Sequence, residues 1–87
     1  MSSFAPKAGL IETDLESELV LLDPETKLMF SLNATGRLVW RGLGAGEEET
    51  AMRLAREFTT GIGRAREDVR HLLEELAGAG LIVPRDA

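Results

Sequence analysis

The sequence predicts an α+β domain, a three-stranded antiparallel sheet followed by three helices. Three observations lead there. Short apolar groups separated by turn residues fill the first third of the chain, apolar residues recur at helical spacing through the rest, and glycines sit at the ends of the helical stretches. The 87 residues suit one small domain, and 44% hydrophobic against 29% charged residues is a globular composition.

Residues 1–8 carry no periodic pattern and are expected to form a flexible N-terminus, with a single domain over residues 9–84. The strand groups are Leu10 with Ile11, then Leu19 to Leu22, then Leu28 to Leu32. Between the last two lies Asp23-Pro24-Glu25-Thr26, where proline presets φ for a turn and the aspartate can bond back to the backbone, so a hairpin is expected. In the third strand Leu28, Phe30 and Leu32 alternate with Lys27, Met29 and Ser31, which predicts one face on the core and one more polar face.

Asn33 follows as an N-cap, and Leu38, Val39, Trp40 and Leu43 supply the apolar surface of a first helix that Gly42, Gly44 and Gly46 end. Trp40 is expected in the core. A second helix starts near Glu47 to Thr50, where carboxylates favour the positive helix end and Thr50 is an alternative cap. Its stripe is Ala51, Leu54, Ala55 and Phe58. After Thr59-Thr60-Gly61-Ile62-Gly63 a third helix is predicted from about Arg64 to Ala77, with Val69, Leu72, Leu73 and Leu76 as its stripe and Gly78 and Gly80 closing it. Leu81-Ile82-Val83 before Pro84 reads as a short extended tail. This is the parts list of a winged-helix-turn-helix-like domain.

Composition narrows the chemistry. The chain has no cysteine, which removes disulfides, thiolate ligands and cysteine nucleophiles. No apolar run approaches the length of a membrane span and no signal-like start is present, so a cytoplasmic address without membrane association is expected. A net charge of −5 opposes binding to phosphate backbones. The single histidine, His71, falls nearly opposite the apolar stripe of its helix, where exposure is expected. Gly42, Gly44 and Gly46 lack the strand, lysine and hydroxyl of a phosphate-binding loop and read as loop flexibility. No nucleophile-base pair, tuned carboxylate pair or metal-ligand spacing emerges, so the chain is expected to be neither an enzyme nor a cofactor or metal carrier.

Leu22-Asp23-Pro24-Glu25, then Leu32-Asn33-Ala34-Thr35-Gly36 leading into Val39-Trp40, resemble the middle of the PqqD-like family, also called RiPP recognition elements. Downstream, Thr50, Leu54-Ala55 and Phe58 are similar to the family's second helix, and Asp68-Val69, Leu72-Leu73, Leu76 and Gly80-Leu81-Ile82 to its last helix and closing Gly-Leu. The similarity spans about residue 9 to residue 83, and its specificity lies in the order and spacing of the pieces. The loose glycine loops, Gly42 to Gly46 and Gly61 to Gly63, depart from it.

The resemblance implies a winged-helix-like module that binds the leader segment of a ribosomally made precursor peptide and presents the rest to a separate processing enzyme. It is most like the stand-alone leader-binding proteins of lasso-peptide biosynthesis, whose partner is a leader peptidase; the PqqD-type chaperone serving a radical enzyme is the related alternative. In the family the peptide lies between the third strand and the last helix. The corresponding stretches are Lys27, Leu28, Met29, Phe30 and Ser31 on one side and Arg66, Asp68, Val69, Arg70, Leu72 and Leu73 on the other. A helical wheel puts Arg66 and Arg70 on one flank of the stripe and Asp68 and Glu75 on the other, without distinguishing which flank faces the peptide. Asp68 can accept from a leader hydroxyl, and Arg70 can pair with an acidic leader residue.

The competing reading is a winged-helix DNA-binding regulator using Arg53, Arg56, Arg64, Arg66 and Arg70. Against it, Glu47, Glu48, Glu49, Glu57, Glu67 and Asp68 interleave with those arginines, and no nucleic-acid partner is expected. The expected assembly is a monomer or weak dimer, with pairing of the same sheet edge with its twin as a third possibility.

Overall fold

The computed structural model describes residues 3–85. In chain order the elements are β1 (Ser3–Pro6), β2 (Ile11–Asp14), β3 (Leu19–Asp23), β4 (Leu28–Leu32), α1 (Ala34–Arg41), a 3-10 turn (Leu43–Ala45), α2 (Glu47–Glu57), α3 (Ile62–Gly78) and β5 (Ile82–Arg85). The predicted three-stranded antiparallel sheet is present, in the order β2-β3-β4, and the third strand of the sequence reading is β4. Helices α1, α2 and α3 follow it as expected.

A second, two-stranded sheet joins β1 to β5, with Phe4 opposite Pro84 and Ala5 opposite Val83. The first segment has no alternating apolar pattern, and its partner lies at the far end of the chain, so neither local periodicity nor turn chemistry announces the pairing. Of the eight N-terminal residues expected to be flexible, Ser3 to Pro6 form this strand, while residues 1 and 2 lie outside the described residues. Phe4 packs against the core, and the Lys7 N–H donates to the Leu81 carbonyl at 2.9 Å.

The core lies between the β2-β3-β4 sheet and the helices. It is built from Leu19 and Leu21 of β3, Leu32 of β4, Val39 and Trp40 of α1, Ala51 and Leu54 of α2, and Ala65, Val69, Leu73 and Leu76 of α3. Leu43, Leu81 and Ile82 close its ends. Trp40 is 4% exposed, as its place in the apolar stripe requires.

Local chemistry explains the joints. The Asn33 side chain accepts from the Gly36 N–H at 2.9 Å, the predicted N-cap of α1. In the β3–β4 turn Asp23 accepts from the Glu25 N–H at 3.0 Å, and the Lys27 N–H closes the turn on the Asp23 carbonyl at 2.7 Å. Lys27 takes a left-handed conformation to do so, at φ 67°.

Three local expectations need correction. Thr50 is not a cap of α2: the cap position is Gly46, and Thr50 is buried within the helix, its hydroxyl donating to the Gly42 carbonyl at 2.9 Å. Gly42 is consequently a site of close approach rather than of looseness, since a Cβ there would lie 2.4 Å from Thr50 Oγ1. Phe58 does not complete the buried stripe of α2; the helix ends at Glu57, Thr59 turns the chain at φ 53°, and Phe58 is left 43% exposed.

Candidate functional site

β3 is flanked by β2 and β4, so among the described residues the outer edge of β4 has no strand partner within the sheet. An edge of this kind presents alternate backbone N–H and C=O groups to any extended segment that approaches. The pairing register sets what surrounds it. Leu19, Leu21 and Asp23 of β3 are buried and stand opposite Leu32, Phe30 and Leu28, so those three share the core-facing side of β4, while Met29 and Ser31 share the outer side with Leu22 and Val20.

The core-facing side of β4 is covered unevenly. Leu32 is 9% exposed, Phe30 is half-buried, and Leu28 is 56% exposed. The helical layer therefore closes over the Leu32 end and leaves the Leu28 end open, producing an apolar shelf beside an unpaired strand edge. On the opposite side Ser31 donates its hydroxyl to the Glu18 carboxylate at 3.3 Å, and Met29 is exposed.

From the end of β4 an open groove of about 420 Å³ runs between Asn33 and Thr35, at the start of α1, and Asp68, His71, Leu72 and Glu75 of α3. Leu72 is its apolar element, half-buried at the core margin like Phe30. Asp68 is partly exposed, with the Arg64 guanidinium 3.8 Å from its carboxylate. His71 is exposed, as expected, and sits on the lip.

The two flanks of α3 are thus separated by the fold. The Asp68 and Leu72 flank faces the junction of β4 with α1, whereas Arg66 and Arg70 line a different, smaller hollow with Glu47 and Glu48 at the start of α2. Arg66 is fixed there, its Nε and Nη2 donating to Glu48 at 3.0 and 2.8 Å. That bond holds the Glu48 carboxyl below its usual value and raises Arg66 above its own.

Of the eleven residues singled out from the sequence, Leu28 and Phe30 lie on the core-facing side of β4 and Met29 and Ser31 on its outer side, and Asp68 and Leu72 lie on the flank of α3 that faces its end. Lys27 belongs to the turn. Val69 and Leu73, at 1% and 6% exposed, belong to the core and not to the lining of this groove. Asn33, Thr35 and His71 were not singled out: Asn33 reads as a cap and His71 as a solvated residue, and only the packing of α1 against α3 brings them together. Helical spacing sets His71 beside Asp68 and Glu75, at i−3 and i+4, on the side of α3 away from Val69 and Leu73.

Among the described residues no group of three or more His, Asp or Glu side chains is placed to hold a metal ion, and no helix is long and apolar enough to cross a membrane.

Two solved structures share this fold over almost their whole length. TbiB1 in complex with the TbiA(beta) leader peptide is 25% identical and superposes with a TM-score of 0.81, over 90% of this chain and 93% of that one. Lasso peptide synthetase B1 complexed with the leader peptide is 24% identical, with a TM-score of 0.86 over 94% and 99% of the two chains. No curated protein matches the sequence. The family model described as coenzyme PQQ synthesis protein D (PqqD) matches residues 18–82, from the start of the β3 strand to the start of β5 and so through every element of the groove; the chain belongs to the PqqD family.

Proposed function

We propose that this chain is a non-catalytic binding module that captures the leader segment of a ribosomally synthesised precursor peptide by strand addition to β4, in the groove against α3. It then delivers the precursor to a separate processing enzyme, a lasso-peptide leader peptidase. The observation that carries the reading is the uncovered core-facing side of an edge strand, from buried Leu32 to exposed Leu28. A peptide strand laid along β4 gains main-chain hydrogen bonds from the edge and burial for its alternate side chains against Leu28, Phe30 and Leu72. Affinity comes from the ladder, and selection from the shelf and from Asp68, which can accept from a leader hydroxyl or cation.

Supporting this, both similar solved structures are complexes with leader peptides. The reading as a DNA-binding regulator loses its basic face, since Arg66, Arg53 and Arg64 are each within ion-pair distance of a carboxylate, Glu48, Glu49 and Asp68.

The test is a fluorescence-anisotropy titration of the protein against a labelled candidate leader peptide and a labelled random DNA duplex at moderate salt. Saturable peptide binding without duplex binding supports leader capture. Duplex binding that weakens steeply with salt, with no peptide response, supports the regulator.

A further inference from the structure

The outer side of the β2-β3-β4 sheet is turned away from the core, and strand pairing carries one apolar row across all three strands. Ile11 stands opposite Leu22 and Leu22 opposite Met29, while Thr13, Val20 and Ser31 form the next row. None of these six carries a charge, in a chain of which 29% of the residues are charged. Ile11 and Met29, at the two ends of the first row, are 51% and 68% exposed, and Leu22 between them is half-buried. A sheet side that meets only water is ordinarily the polar half of the alternation, and here it is not.

The unpaired charges at the two ends of this face have opposite signs. In the β3–β4 turn Lys7 holds both Asp23 and Glu25, which leaves Lys27 as a cation without an ion pair among the described residues. At the β2–β3 end Asp14 is taken by Arg37 and Arg41, whereas Glu16 and Glu18 have no ion pair among the described residues. The Glu18 carboxylate accepts from the Ser31 hydroxyl and so lies level with the second row. Along β4, Lys27 stands two residues before Met29 and Ser31 two residues after it.

We infer that a second copy of this chain covers the face, the two sheets packing about a two-fold axis that runs along the Ile11-Leu22-Met29 row. An isologous contact sets each residue on the axis over its own copy and exchanges what lies on either side of it. Here it lays apolar row on apolar row and brings Lys27 of each protomer over the Ser31 and Glu18 pair of the other, twice by symmetry. Neutrality matters most for self-association: copies with a net charge of −5 repel, and a face without carboxylates lets them meet without opposing like charges. The face is small. Strands about 4.8 Å apart and at most five residues long offer far less than the roughly 800 Å² per partner of a stable interface, so the dimer is weak and reversible. Face-to-face packing leaves the β4 edge and the groove beside α3 open.

Sedimentation velocity on the intact chain from about 5 µM to about 1 mM should follow a monomer–dimer equilibrium with its midpoint on the order of 100 µM, the range that so small an interface supports. Ile11→Lys sets two like charges face to face at the axis and should weaken the dimer about tenfold or more, with unchanged circular dichroism. Lys27→Glu and Glu18→Lys should each weaken it several-fold, and the double variant, which restores opposite signs, should recover the loss. Because the chain has no cysteine, Ile11→Cys should crosslink to its own copy through a bismaleimide of about 10 Å reach, the spacing of packed sheets, whereas Met52→Cys, on α2 and 48% exposed, should not. A chain monomeric to the highest concentration, a dimer indifferent to Ile11→Lys, a double variant no tighter than the single ones, or crosslinking at residue 52 in place of residue 11 overturns the inference. Every one of these readouts is made without a leader peptide, so failure of leader capture is distinguishable from failure here.

Discussion

Lys7, one residue past β1, holds the carboxylate of Asp23 at 2.7 Å, and so ties the N-terminal strand to the turn that launches β4. The bond lowers the Asp23 pKa below 3.8 and raises that of Lys7 above 10.5. Asp14 is displaced further downward, by Arg37 first, then by the Glu16 N–H and Arg41. Depressed carboxylates contribute stability that is complete above their unfolded value and lost as pH falls through the folded one; a raised amine contributes below its unfolded value and loses it as pH rises through the folded one. Thermal melting should therefore be level around neutrality, decline below about pH 3.8, and decline again above pH 10.5. Lys7→Met should lower the melting temperature at neutral pH and flatten the alkaline limb.

Gly42 faces Thr50 so closely that a Cβ would stand 2.4 Å from its hydroxyl oxygen and 3.0 Å from its methyl group. Gly42→Ala should cost about 1 to 3 kcal/mol in urea unfolding, and pairing it with Thr50→Ala should recover part of that loss. A fully additive double variant would show that the contact between the end of α1 and α2 is not tight.

Lys27 is a lysine in a conformation suited to glycine, at φ 67°. Lys27→Gly relieves the left-handed penalty against a smaller gain in unfolded-chain entropy, so stability should rise by about 0.5 to 1 kcal/mol. A drop on chemical denaturation contradicts the strain argument.

Binding and folding should separate along β4. Leu21, fully buried opposite Phe30, should lose about 2 to 5 kcal/mol of stability on Leu21→Ala, and Phe30→Ala should also act mainly on the fold. Leu28→Ser, at a position 56% exposed and opposite Asp23, adds no charge and should change stability by about 0.5 kcal/mol or less while weakening a leader peptide several-fold. Asp68→Ala should likewise leave the fold intact and weaken capture. Melting curves beside anisotropy titrations read both quantities, and an unchanged affinity for the folded Asp68 variant would remove that residue from the site.

What the sequence made legible follows from how local each signal is. The Asn33 cap, the Asp23 turn and the leucine stripe of α3 depend on residues within one or two turns of each other, and all three are in the structure as read. The β1–β5 pairing joins opposite ends of the chain and carries no alternation, so it was invisible. Gly42, in the turn that ends α1, and Thr50 of α2 are eight positions apart; a glycine read alone suggests freedom, and only its neighbour shows close packing. Within the site, the wheel divided the flanks of α3 correctly but could not orient them, because orientation depends on the sheet and α2 claiming opposite sides. The Arg66–Glu48 pair marks the side that α2 takes.

The most direct test of the central claim is amide hydrogen exchange with and without a saturating leader peptide. Strand addition to β4 predicts new protection at amides of Leu28–Leu32 and in α3 around Asp68 and Leu72, with little change in β2. Protection confined to β2, with the β4 amides exchanging as before, would contradict it.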